Sequence, residues 1–160
     1  MRISNNVMAA ALITAGILPT TSQASPQALR DTLNALNQYD VTHIEELEIN
    51  RRGHIEIEGF DSNGAERKLS FDRQGSVLRD HSGDADEDRE ESIDIATAQR
   101  VVNWLEQQGH RDIDQISADD GLIEIEMRDE NGREVEMALD PATLEVVEME
   151  SNGDLREVLR

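Results

Sequence analysis

The strongest constraint on the fold is a stretch that the chain writes twice, at a constant spacing of 68 residues. Residues 53–72 read Gly-His-Ile-Glu-Ile-Glu-Gly-Phe-Asp-Ser-Asn-Gly-Ala-Glu-Arg-Lys-Leu-Ser-Phe-Asp, and residues 121–140 read Gly-Leu-Ile-Glu-Ile-Glu-Met-Arg-Asp-Glu-Asn-Gly-Arg-Glu-Val-Glu-Met-Ala-Leu-Asp. Ile55/Ile123, Glu56/Glu124, Ile57/Ile125, Glu58/Glu126, Asp61/Asp129, Gly64/Gly132 and Asp72/Asp140 are among the identical pairs. An internal duplication is the simplest account, and it implies the same supersecondary unit in each half.

That unit is a β-hairpin. Ile123, Ile125 and Met127, then Val135, Met137 and Leu139, alternate with polar residues, which gives a ribbon with one buried and one wet face. If the apolar sets share a face, 127 opposes 135, 125 opposes 137 and 123 opposes 139. The connection is then a three-residue loop at 130–132, a type I turn begun by Asp129 and closed by Gly132 in the left-handed conformation. A tight Asn-Gly turn would slip the pairing by one residue and set glutamates against the apolar side chains. On the wet face this register puts Glu126 opposite Glu136, whereas the first copy puts Glu58 opposite Lys68.

Around each hairpin the pattern predicts a helix, a short strand before the hairpin and another after it. Ser25-Pro26 supplies a cap and a first-turn proline, and Leu29, Leu33 and Leu36 form one apolar stripe. In the second half Ala98, Val102 and Leu105 form the stripe, Trp104 sits beside it, and Gly109 is placed to end the helix. Ile44, Leu47 and Ile49 mark the short strand of the first half, Ile113 and Ile116 that of the second. The closing strands fall at 76–78 and 144–149, and 151–160 adds a strand or a short helix.

The expected class is α+β, as two tandem modules, each one helix packed on a small antiparallel sheet. The expected organisation is a signal peptide at 1–24, a first module at 25–81, an acidic linker at 82–91 and a second module with a C-terminal extension at 92–160. Modules of this size sit near the lower limit for independent folding, so each half needs the other. Their expected cores are Leu29, Leu33, Leu36, Leu47, Ile55, Ile57, Leu69 and Phe71 in one, and Val102, Leu105, Ile116, Ile123, Ile125, Val135, Met137 and Leu139 in the other.

Composition fixes the address. Arg2, the apolar run at 7–18 and Ser22-Gln23-Ala24 have the form of a secretory leader cleaved after Ala24, so the mature chain is expected in the periplasm or outside the cell, without a transmembrane segment. A formal net charge of −20 excludes nucleic acid and anionic membrane surfaces as partners, because both repel it. The chain has no cysteine, which removes disulfides, thiolate chemistry and Cys-based zinc sites.

The helix, the Ile-Glu-Ile-Glu strand, the Asp-x-Asn-Gly turn and the second strand ending in aspartate resemble the PepSY domain of bacterial secreted and membrane-associated proteins. Residues 93–149 carry the resemblance best. Asp140-Pro141-Ala142-Thr143-Leu144-Glu145-Val146 is similar to the family's closing Asp-x-x-Thr-Gly-x-Val, with Leu144 in place of glycine. Residues 25–80 match more loosely, keeping the glycine in Gly75-Ser76-Val77 but not the threonine. The resemblance implies a non-catalytic module of the kind that restrains peptidases as a propeptide or stands free in tandem outside the cytoplasm, and it carries over no catalytic residue.

No residue pattern points to catalysis or to a cofactor. His43, His54, His81 and His110 show no His-x-x-x-His or Glu-x-x-His spacing and read as surface residues. Asp84, Asp86 and Asp88 imitate the start of a calcium loop, but Arg89 stands where the turn needs glycine and Ile95 where a bidentate glutamate belongs. The candidate contact face is Glu124, Glu126, Glu134 and Glu136, which suits a partner with a basic surface: a peptidase or another envelope protein. The alternative from the same acidity is a cation-binding, calcium-type or structural envelope protein.

Overall fold

The computed structural model describes residues 24–85, 91–151 and 154–157. Ser25 caps the first helix, α1 (Pro26–Ala35), by accepting a hydrogen bond from the Ala28 N–H, and a 3-10 turn follows at Leu36–Tyr39. A meander of β1 (Val41–Ile49), β2 (Ile55–Asp61), β3 (Ala65–Phe71) and β4 (Val77–Ala85) completes the first half. The short β5 (Ile93–Asp94) leads into α2 (Ile95–Gln108), which Asp94 caps and Gly109 ends at φ 87°. A second meander runs through β6 (Asp112–Asp119), β7 (Leu122–Arg128), β8 (Glu134–Leu139) and β9 (Val146–Ser151), and β10 (Asp154–Glu157) pairs with β9.

These elements do not make two helix-on-sheet modules. The strands form one antiparallel sheet in the order β10-β9-β8-β7-β6-β1-β2-β3-β4, joined where Glu46, Leu47 and Glu48 of β1 pair with Ser117, Ile116 and Gln115 of β6. The correction has a physical cause. A meander leaves its first strand at an edge, with a row of unpaired N–H and C=O groups, and in each half that edge lies beside an apolar face too small to be covered alone. Joining β1 to β6 pairs the middle of both edges and merges the two apolar faces. One cluster then holds all sixteen expected core residues, together with Val41, Ile44, Val101, Ile113 and Met127. Both helices cover that face and touch each other: Arg30 pairs with Glu106, and the Gln99 side-chain amide donates to Asn34 Oδ1 at 2.9 Å.

The hairpin register agrees with the alternation argument. Ile123 opposes Leu139, Ile125 opposes Met137 and Met127 opposes Val135, with the same pairing 68 residues earlier for Ile55/Phe71 and Ile57/Leu69. Gly132 closes the three-residue loop at φ 76°, donating to the Asp129 carbonyl at 2.9 Å. The repeated aspartates are turn builders: Asp129 Oδ1 accepts from the Asn131 and Arg133 N–H groups, Asp61 Oδ1 from those of Asn63 and Ala65, Asp72 and Asp140 likewise at the next turns. These bonds, with the Arg133 side chain, hold the Asp129 carboxyl down at about 2.

Two local expectations differ. The closing strand of the first half is longer than 76–78 and runs on through 82–85, into the stretch read as a linker. In the second half the closing strand starts at Val146, because Leu144 takes a left-handed turn conformation at φ 59°, where the family pattern has glycine. At Gly59, counterpart of Met127, a Cβ would lie 2.1 Å from the His43 carbonyl oxygen, because β1 bulges between Ile44 and Glu46 and brings its backbone onto β2.

Candidate functional site: the open acidic face

With both helices on one side, the other face of the sheet carries the polar half of every alternation. Cross-strand pairing arranges it in rows. One row reads Glu150, Glu136, Glu126, Gln115, Glu48 and Glu56 across β9, β8, β7, β6, β1 and β2. The next reads Glu148, Ala138, Glu124, Ser117, Glu46 and Glu58. The structure thus brings together Glu124, Glu126 and Glu136 as the sequence predicts, and Glu134 lies one row further, 3.3 Å from the Arg128 guanidinium.

The two halves of this face differ in compensation. On β3, Lys68 reaches Glu58 at 2.7 Å and Glu66 at 3.0 Å, and these carboxylates hold its ammonium charged well above the usual range. No cation takes that place on β8, where the Lys68 counterpart is Glu136, opposed by Glu126 on one side and Glu150 on the other. Burial first, and then repulsion from Glu136, pushes the Glu126 carboxyl up. Glu124 is raised by burial and then by Asp119 and Glu136, and Glu46 by burial and then by Glu58. An incoming cation would relieve the repulsive part of these shifts.

Two hollows open on the face. Ala138, 7% exposed, floors a shallow dimple of about 90 Å³ ringed by Glu124, Glu126, Glu136, Glu148 and Glu150. A larger cleft, about 310 Å³, lies at one end of the β1/β6 junction, where Glu48, Asp114, Glu126, Glu134 and Glu136 outnumber Arg51 and Arg128. The cleft exists because the junction is short. β5 takes the same edge of β1 at His43 and Ile44, β6 pairs it only over Glu46 to Glu48, and the strands part beyond.

Glu46, Glu48, Glu148 and Glu150 also belong to this face, beyond the residues expected from the sequence. Their alternation with Leu47, Ile49 and Met149 is visible in the sequence, but their place beside Glu124 and Glu126 depends on β1 meeting β6. Asp84 is exposed on β4 at the far edge of the sheet, while Asp86 and Asp88 lie outside the described residues. Ala24, the last residue before the expected cleavage point, is 6% exposed and packs with the core, and the rest of the expected leader is outside the described residues. The histidines stay apart: His43 is 3.0 Å from the Thr42 hydroxyl, His81 is exposed, and His110 stacks near Trp104 with its pKa lowered by burial. Among the described residues, Glu91, Asp119 and Asp120 are a group whose carboxylate oxygens approach within 4.8 Å. No helix among the described residues is long and apolar enough to cross a membrane.

Both helices cover one face of the sheet, and rows of carboxylates line the other. Residues 84–150 match the model of the PepSY_2 family, the peptidase propeptide and YPEB domain. The match takes in β5, α2 and β6 to β9, less than half of the chain, and leaves β1 to β3 and most of β4 outside it. PepSY domains are typically extracytoplasmic and in general non-catalytic propeptide or inhibitor modules. Neither a curated protein nor a solved structure matched the chain.

Proposed function

We propose that the chain is a non-catalytic, extracytoplasmic PepSY-like module, freed from its leader after Ala24, that works by binding another protein and restrains a peptidase or serves another envelope protein with a basic surface. The observation that carries this reading is the acidic face of β7 to β9, where Glu136 stands between Glu126 and Glu150, within residues that match the peptidase propeptide and YPEB domain. Opposed like charges cost a sheet stability, and Glu136 is opposed on both sides. A basic partner would turn that cost into attraction.

The test is inhibition in trans. A secreted thermolysin-like metallopeptidase from the same organism is assayed on a peptide substrate with and without the mature chain, and envelope proteins retained by the chain are identified in parallel. Slowed hydrolysis, or one defined basic partner lost in Glu136→Lys, is the expected result. An unaffected peptidase together with no retained protein would overturn the reading. A second reading, cation binding, is favoured by the Glu91, Asp119 and Asp120 group. Saturable calcium binding that Asp119→Asn abolishes would replace the first reading with it.

A further inference from the structure

We infer that the partner enters as an extended basic segment lying along β6, in a trough that only the junction of the two halves creates. This deepens the proposed function and rests on it. β6 contributes the uncharged Gln115 and Ser117 to the open face, and both are half-buried. Glu124 and Glu126 of β7 rise on one side of them, Glu46 and Glu48 of β1 on the other. The result is a neutral floor between two acidic walls, and at one end it runs into the cleft of about 310 Å³ that Gln115 also lines.

The repeat of the walls selects the form of the occupant. Residues two apart on a strand stand about 6.6–6.8 Å apart, the same spacing at which an extended peptide presents alternate side chains to one face. A segment running along β6 with arginine or lysine at alternate positions therefore sets one cation between Glu46 and Glu124 and the next between Glu48 and Glu126. A third reaches the cleft, whose lining is net acidic. The walls come one from each half, and electrostatic coupling across the junction already operates: Glu126 is among the charges that raise Glu46, after burial and its nearer neighbours. A compact multivalent cation fits this geometry less well, because the four carboxylates are spread over two strand spacings, on the order of 9–10 Å across. On the hairpin of the first half Lys68 stands among the carboxylates instead, paired with Glu58 and Glu66.

The experiment uses the mature chain and an eight-residue synthetic peptide with arginine at alternate positions and threonine between, titrated at about 0.15 M salt, where the Debye length is about 8 Å. Glu48→Gln combined with Glu126→Gln removes one carboxylate from each wall. Asp84→Asn combined with Glu130→Gln removes the same charge away from the trough and is the control. Melting curves accompany both. The expected result is about a tenfold weaker association for the wall pair and less than twofold for the control. Equal weakening by both pairs would show a diffuse field and overturn the trough, as would displacement of the peptide by 1 mM calcium. A protein partner held equally well by wild type and wall pair would overturn the trough and leave the proposed function standing. Peptide bound in the trough, with no peptidase restrained and no envelope protein retained, would do the reverse.

Discussion

Replacing Glu136 with lysine tests the charge arithmetic of the open face directly. Glu136 opposes Glu126 on β7 and Glu150 on β9, so the exchange removes two repulsions and creates two attractions. Opposed cross-strand charges are worth about 0.2–1 kcal/mol each, and exposure puts these near the low end. Four terms of about 0.25 kcal/mol give a gain of about 1 kcal/mol at low salt. Lys68 shows that the geometry accepts the change, since at the corresponding place it reaches Glu58 at 2.7 Å. In a chain of this size that gain raises Tm by about 3–5 °C. Urea melts at 20 mM salt should show it, and 0.5 M salt should remove more than half of it, because the Debye length then falls to about 4 Å. Glu136→Gln, which removes the repulsions without adding attractions, should recover about half of the gain. A destabilised lysine variant, or a gain that salt leaves untouched, would show that opposed charges do not set the stability of this face.

Ile125→Ala, at a fully buried site facing the helices, should cost about 2–5 kcal/mol in denaturant melts, and a loss under half a kcal/mol would mean that this face is not core. Gly59→Ala should cost about 1–3 kcal/mol or more, because the new methyl group meets backbone that cannot rotate away; unchanged stability would remove the bulge argument. Stability should rise as pH falls from 7 to about 5: Glu45, Glu46, Glu124 and Glu126 have raised folded pKa values, and their contribution is complete below the ordinary glutamate value and lost as pH climbs through the raised ones. Below about 4 it should fall again, because Asp61, Asp94, Glu106 and Asp129 have depressed folded values and their contribution is lost on acidification. A thermal-melt series that declines steadily from pH 7 to 5 would contradict the first half of this profile. Amino-terminal sequencing of the exported protein should return Ser25, and Met1 would show that the leader is not removed.

What is local was legible in the residues alone. Alternation set the hairpin pairing, since a slip of one residue would exchange buried isoleucines for glutamates, and Asp129 and Gly132 set the loop because their side-chain and backbone chemistry acts within a few residues. It also marked Glu126 against Glu136, a contact that follows from the same register. What is not local came from packing between the halves. Which edge β1 and β6 would present, and to what, depends on unsatisfied backbone groups that look the same in every strand and carry no side-chain signature. One sheet replaced two modules on that account, and the acidic walls of Glu46 and Glu48 met those of Glu124 and Glu126 only through it.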